Sequence, residues 1–253
     1  MEHFYVLKWN RWKRWAFIMI AALFSAFILW IDSESTLSVF SSKESPAALS
    51  KGNDQDPDIA LTFNISWGNE KVEPILEQLK KHKAKATFFL SGEWAERHPE
   101  IVDKIAEDEH EIGMLGYRYK SYLSQEKEQV RKDLTYAKEV FRKLGYPETK
   151  LLRTPSGHFN KEILAMAEEL GFKVIQWNVN PQDWKNPGEQ NIIDNILKNT
   201  ANGDIILLHA SDSVKQTPSA LETVLPGLKN KGFHYVTISE LIARTEAESE
   251  AIE

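Results

Sequence analysis

Ile59-Ala60-Leu61-Thr62-Phe63-Asn64-Ile65-Ser66-Trp67-Gly68 is a short apolar run that closes on small, turn-forming residues. Ile59 to Asn64 has the length and composition of a buried strand. Further strand candidates follow at Ala86 to Leu90, Glu111 to Leu115, Lys150 to Arg153, Lys173 to Asn178, Asp204 to His209 and His234 to Thr237. Longer amphipathic stretches separate them: Glu70 to His82, Glu100 to Asp108, Gln125 to Leu144, Lys161 to Leu170, Gln190 to Asn199 and Ala220 to Asn230. Val130, Leu134, Ala137, Phe141 and Leu144 recur at helical spacing, which predicts a core-facing stripe. Gly145, Gly171 and Gly232 each follow a helical stretch, where a left-handed terminal residue is wanted. Strand-then-helix repetition predicts an α/β fold, a parallel sheet with helices outside, open or closed into a barrel.

The chain has 253 residues, 42% hydrophobic and 27% charged, which suits one sizeable domain plus extensions. A net charge of −6 excludes a general basic surface for nucleic acid. With no cysteine, disulfides and thiolate metal sites are excluded. Trp15 to Ile31 carries no charged side chain and reads as a transmembrane anchor at the short end of spanning length. Lys8, Arg11, Lys13 and Arg14 precede it, and Asp32 and Glu34 follow. The positive-inside rule then puts residues 1–14 in the cytoplasm and the domain outside. A cleaved signal peptide is the rival, but Phe27 to Ile31 is too bulky for a good cleavage site, which favours an uncleaved anchor. Residues 32–57 read as a polar linker, 58–243 as the domain, and 244–253 as an acidic tail without fixed structure.

Several short motifs fall at or just after predicted strand ends, where sites form in barrels of this kind. They are Thr62 to Gly68, Gly116-Tyr117-Arg118-Tyr119-Lys120, Arg153-Thr154-Pro155-Ser156-Gly157, Asp183-Trp184 and Leu207-Leu208-His209. In order and spacing they resemble the polysaccharide deacetylases of carbohydrate esterase family 4, the NodB-homology domain, over about residues 56 to 243. Ala95 to Pro99 and His209 to Ser213 resemble the PdaB-type sporulation branch in particular. The resemblance implies a distorted (β/α) barrel of about seven parallel strands, preceded by one N-terminal transmembrane helix. It implies a hydrolase of non-peptide carbon–nitrogen bonds, an N-deacetylase acting on peptidoglycan or a related N-acetylated glycan. It also implies a place in the forespore envelope.

The resemblance assigns roles position by position. The base position carries Asn64, whose carboxamide cannot accept a proton near neutral pH. The metal positions carry Ile65, Leu115 and Tyr119, none an Asp or His. No cofactor is therefore expected, although the family uses a divalent metal such as zinc. Arg153 matches the residue that positions the catalytic Asp. Two readings stay open for it: a cation free to meet an anion or a glycan carbonyl, or a structural Arg paired with another carboxylate. Asp183 and His209 match the pair in which an Asp tunes a general-acid His. Trp184, Tyr117 and Pro155 are placed along the substrate groove; for Trp184, core packing is the equal alternative. Tyr119 and Tyr122 share with Tyr117 the choice between stacking on sugar and packing. Asn180 stands where many relatives carry a further Asp. His158 lies near the site as a lone substitute ligand. His98 and His110 are expected to be exposed, and His82 to sit at a helix end. Enzyme, glycan- or partner-binding module, and structural partner in an envelope complex all remain open, with Asn64 arguing against the first.

Overall fold

A computed structural model describes Met19 and residues 47–250, with side chains through Arg244. The described fold lies in one compact unit, Ser45–Glu253. The expected cytoplasmic segment, the anchor over 15–31 (Met19 apart) and most of the expected linker lie outside the described residues. Among the described residues no helix is long and apolar enough to cross a membrane.

The strands are β1 (Asp58–Ile65), β2 (Thr87–Leu90), β3 (Glu111–Met114), β4 (Leu151–Leu152), β5 (Lys173–Val174), β6 (Ile205–His209) and β7 (His234–Tyr235). The helices are α1 (Val72–His82), α2 (Gly92–Arg97), α3 (Pro99–Glu107), α4 (Lys127–Lys143), α5 (Lys161–Glu169), α6 (Glu189–Asn199), α7 (Thr217–Asn230) and α8 (Ile238–Glu250). All named strand pairings are parallel, in the order β5-β4-β3-β2-β1-β6, with β7 on the first residues of β1. Past β5 the chain crosses to β6, where Val179 bridges Ile206 and Leu207 N donates to Val179 O at 2.9 Å. That crossing brings the two edges of the sheet together as a distorted barrel.

Alternation along β1 sorts its side chains. Ile59, Leu61, Phe63 and Ile65 join the core between sheet and helices. Ala60 joins the inner core with Phe89, Leu115, Leu151, Ile175 and Ile205. Asn64 shares the inward parity of Ala60, and His209 that of Ile205, on the neighbouring strand. Asn64 and His209 are register partners at the C-terminal ends of β1 and β6. Burial of both sheet faces explains why these strands read as apolar runs.

Two expected boundaries are corrected. Residues 47–57 are built into the barrel. Leu49 N donates to Val174 O, Gln176 N donates to Leu49 O, and Gly52 N donates to Gly203 O, so this segment straps the seam between β5 and β6. Backbone pairing of this sort leaves no periodic trace in side chains. Nor is the C-terminal segment structureless, since α8 runs through residues 244–250. Thr237 and Glu240 form a reciprocal capping box at its start, and Ile238 and Leu241 enter the inner core. Arg244 pairs with buried Asp58 at the foot of β1. Observed β4 and β5 are only two residues long, against four and six expected, because the chain leaves the sheet to supply Arg153 and the crossing to β6. Helix α2, capped by Ser91, is too short for periodicity to announce.

His110 is buried rather than exposed, at 7% of its full accessibility. It lies at the foot of β3 with its ring 5.3 Å from Phe88, and neither ring nitrogen has a hydrogen-bond partner. Burial pushes its pKa down to about 4, with Asp108 opposing and Lys85 reinforcing. The unfolded chain, with an ordinary imidazole near 6.5, therefore takes up the proton first. Stability is full above about pH 6.5 and falls as pH drops toward 4. Urea unfolding at pH 7 and pH 5 should show a loss of about 1 to 2 kcal/mol that His110→Phe abolishes. An undiminished loss in the variant sinks this assignment.

Candidate functional site

The C-terminal ends of the strands enclose a cleft of about 490 Å³. Asn64, Ser66 and Trp67 come to it from β1 and its following loop, and Leu207, His209, Ser211 and Ser213 from β6 and beyond. Ser156 and His158 follow β4, Trp177, Asn180 and Trp184 follow β5, and Tyr119 follows β3.

Its floor is set by Arg153, which is fully buried. Arg153 N donates to Met114 O, fixing the chain just past β4. The guanidinium donates through Nη1 to Asn64 Oδ1 at 2.9 Å, through Nη2 to Gln176 O at 3.1 Å and through Nε to Ile175 O at 3.3 Å. Its Cζ lies 4.1 Å from the centre of the Phe89 ring and 5.3 Å from that of Trp177. Neither expected reading of Arg153 describes this: it is not free, and its hydrogen-bond partners are an amide oxygen and two backbone carbonyls, not a carboxylate. Burial lowers its pKa to about 9, with Tyr119 opposing, so it stays charged at neutral pH.

The other half of the site is the pair Asp183 and His209, with His209 in register with Asn64 on the adjacent strand. Asp183 is fully buried and accepts from His209 Nδ1 at 2.8 Å, His209 N at 2.8 Å, Trp184 N at 2.9 Å and Thr217 Oγ1 at 2.8 Å. A carboxylate opposite Nδ1 holds the neutral ring as the Nδ1–H tautomer, which leaves Nε2 for the cleft. Trp184, next to Asp183 in the chain, reaches the cleft, whereas Leu208, next to His209, packs into the core.

The rim is aromatic. Trp67 is 54% exposed, Trp184 50% and Tyr119 41%. Each is held out by its loop. Gly68 takes φ +74°, and a Cβ there would lie 2.3 Å from Asp212 Oδ2. Asp212 in turn accepts from the backbone amides of Asn69, Glu70 and Lys71, while Trp94 Nε1 donates to Gly68 O at 2.6 Å. The loop after β3 is tied by Asp133 on α4, which accepts from Tyr117 N, Arg118 N and the Tyr122 hydroxyl. Burial, and then Asp133, push the Tyr122 phenol well above its usual pKa. Tyr117 lies apart from the cleft lining: its ring packs 4.4 Å edge-on to Tyr136 and its hydroxyl donates to Glu96. Pro155 is buried and opens a short turn rather than lining the cleft. His98 is half-buried against Trp94. Asp133, Trp177 and Thr217 were not singled out from the sequence, and Asp212 entered only as a member of the His209 to Ser213 motif, with no role. Asp133 carried one faint signal, a carboxylate beside the Val130–Leu134 apolar stripe.

Residues 51–175 match the family described as polysaccharide deacetylase. A peptidoglycan-N-acetylglucosamine deacetylase of Bacillus cereus is 36% identical over 73% of this chain and 87% of its own length. A crystal structure of a peptidoglycan N-acetylglucosamine deacetylase bound to an aryl hydroxamate is 33% identical. It covers 81% of this chain and 96% of its own, with a TM-score of 0.76. A structure described as a carbohydrate esterase family 4 pseudoenzyme, from Bacillus anthracis, is 30% identical. It covers 78% of this chain and 69% of its own, with a TM-score of 0.73.

These relatives correct the expectation that no cofactor belongs here, because their family typically uses a divalent metal. The residues at the family's ligand positions do not fit that group. Ile65 lies in the sheet–helix core and Leu115 in the inner core, both fully buried, and only Tyr119 reaches the cleft. Among the described residues no three His, Cys, Asp or Glu side chains converge to hold a metal ion. Single substitutions should separate the two neighbouring positions. Ile65→Asp places a carboxylate in apolar core and should cost about 3 kcal/mol or more in urea unfolding at pH 7. Asn64→Asp supplies Arg153 with a counter-charge and should be neutral or stabilising by about 1 kcal/mol. Equal losses in the two variants would show that Arg153 does not sense position 64.

Proposed function

We propose a function from one premise: this chain belongs to the polysaccharide deacetylase family, the NodB-homology domain of carbohydrate esterase family 4. Within it, the chain is a glycan-binding pseudoenzyme, held at the membrane and directed at peptidoglycan or a related N-acetylated glycan. One observation carries this reading. The cleft keeps an exposed aromatic rim of Trp67, Tyr119 and Trp184, while Asn64 stands where amide hydrolysis needs a base. Aromatic faces around an open cleft suit the apolar faces of sugar rings, and these three side chains gather at one cleft mouth.

The chemistry supports the same conclusion. Water attacks an amide carbonyl when a group accepts its proton. Asn64 cannot, and its Oδ1 is already engaged by Arg153. His209, oriented by Asp183, can still hold a proton at Nε2 above the cleft floor. It can donate that proton only to an amine that something else has released. The pseudoenzyme relative supports loss of activity, and a mutant of that relative is described as having restored enzymatic activity. A role in the spore envelope rests on the PdaB-type motifs, from Ala95 to Pro99 and from His209 to Ser213.

Acetate release from N-acetylated peptidoglycan by the full chain should stay at background. A positioned base alone contributes roughly 10²- to 10⁴-fold. Replacing Asn64 and Ile65 with Asp, and Leu115 and Tyr119 with His, in zinc-containing buffer should raise it measurably. Acetate release by the unaltered chain that vanishes in His209→Ala would overturn the pseudoenzyme reading.

Membrane attachment follows from the apolar stretch over 15–31 with its basic flank, Lys8 to Arg14. The barrel then lies outside the cytoplasm. The full chain should sediment with membranes, and deletion of residues 1–31 should release it. A full-length, uncleaved chain recovered wholly in the supernatant is the outcome that refutes attachment.

A further inference from the structure

The foot of the barrel, the end away from the cleft, holds a second concavity of about 370 Å³. His82 and Lys83 come to it from the end of α1, Lys229 from the last turn of α7 and His234 from β7. Helices α1 and α7 are joined by Gln78 Nε2, which donates to Glu222 Oε1 at 3.4 Å. Strand β7 pairs with the first residues of β1, so the pocket lies at the other end of β1 from Asn64.

The charges around this pocket can be followed one by one. No Asp or Glu lines it. Asp58, behind His234, is buried and already answered by a full cation, because Arg244 Nη1 pairs with its Oδ2 while His234 Nδ1 lies 3.3 Å from its Oδ1. Lys80 pairs with Asp108 at 3.1 Å, and Lys85 lies within ion-pair reach of Glu109 and Glu240. Glu77 and Glu222 stand at least a turn back on their helices. Among the described residues, no carboxylate pairs with Lys83 or Lys229. Lysines at helix ends often do no more than answer the helix dipole. Here the terminal carbonyls are met by returning backbone: Lys83 N donates to Lys80 O, Ala84 N to Leu79 O, Gly232 N to Lys229 O and Phe233 N to Leu228 O. Neither ammonium group is used as a cap. One further polar group is unmet, since His82 Nε2 is buried without a hydrogen-bond partner.

We propose that the foot pocket binds a phosphate ester, with Lys83 and Lys229 as its charged contacts. Two ammonium groups from different helices, with imidazoles beside them, suit one ligand group that carries up to two charges and several acceptor oxygens. Phe233 and Tyr235 complete the wall with apolar surface, which suits the carbon side of an ester better than a bare ion. A membrane-lipid headgroup and a soluble ester present the same chemistry here. The inference is independent of what the cleft binds, and no covalent step is involved.

The test is calorimetric titration of the full chain in non-ionic detergent, at pH 7 and constant ionic strength. The probes are glycerol 3-phosphate, dihexanoyl phosphatidylglycerol and, as the uncharged control, glycerol. The esters should bind and glycerol should not. Binding of the lipid alone assigns the site to a headgroup, and binding of glycerol 3-phosphate assigns it to a soluble ester. The double variant Lys83→Asn, Lys229→Gln should weaken binding at least about tenfold. Asn is chosen because Lys83 sits at φ 53°, which Asn tolerates. A charge-matched control, Lys80→Gln with Lys150→Gln, removes two lysines that already have carboxylate partners and should change binding by less than about twofold. Equal losses in the two variants overturn the local site, as does binding that survives the first variant intact. If that variant does not fold, Lys229→Gln alone decides, with an expected loss of about threefold. The acidic residues beyond Arg244, Glu246 to Glu253, are the competing occupant within the chain. A chain ending at Arg244 should bind the esters at least as tightly. Binding seen only after that truncation overturns the proposal in favour of the tail, and binding of neither ester by any chain overturns it outright.

Discussion

The cleft depends on a guanidinium buried at the C-terminal end of the barrel. Arg153 reaches from the end of β4 to Asn64 on β1 and to the carbonyls of Ile175 and Gln176 past β5. It lies against Phe89 from β2 and Trp177. One side chain thus joins β1, β2, β4 and the crossing toward β6, where regular pairing is short. A buried charge of this kind is costly unless its donors are used. That cost explains the tight local geometry: the chain after β5 leaves the sheet early and presents carbonyl oxygens inward. The irregular β4 and β5 are therefore a consequence of holding Arg153.

The same guanidinium separates shape from chemistry. Asn64 is nearly isosteric with Asp, so it keeps the hydrogen bond to Arg153 and the contour of the floor while losing the proton acceptor. Ile65 and Leu115 go further and become packing. On the neighbouring strand His209 is hydrogen-bonded to Asp183 through both its ring and its backbone amide. The cleft is consequently open, shaped and polar, and in the proposed reading it binds without activating water. Trp67 and Trp184 each leave about half their surface in solvent at the cleft mouth, which is the surface a ligand would cover in the proposed reading.

Much of this was legible in the sequence. The strand and helix alternation, the left-handed glycines at 145, 171 and 232, and the motif positions all follow from side-chain identity and spacing. Other features were hidden for identifiable reasons. The strap at 47–57 pairs through backbone groups, so its polar composition reads as linker. Helix α8 begins with a Thr237-x-x-Glu240 box that was available, but the acidic residues beyond it masked the signal. Asp133 and Asp212 act by capping loops distant in sequence, and burial of His110 arises from packing between elements rather than from its neighbours in the chain. Tyr117 stands in the same motif as Tyr119 but packs elsewhere, on Tyr136, a choice made by the Asp133-tied loop.

If the cleft bound nothing, as a pseudoenzyme reading alone would allow, its packing would be hard to account for. Stability alone would favour a filled cleft or an apolar side chain in place of the buried guanidinium, since apolar replacement of buried ionic groups is often neutral or stabilising. Ile65 and Leu115 show that apolar replacement is accommodated at positions close to the cleft. Yet Arg153 stays charged within the core, and Asp183 and His209 keep a hydrogen-bonded pair beside it. The unequal treatment of neighbouring positions is the physical signature to explain. The positions that the family resemblance assigns to ligands and base hold packing residues and an amide, whereas charged, polar and aromatic groups shape the floor and rim. Those are the groups that recognition needs and that water activation alone does not.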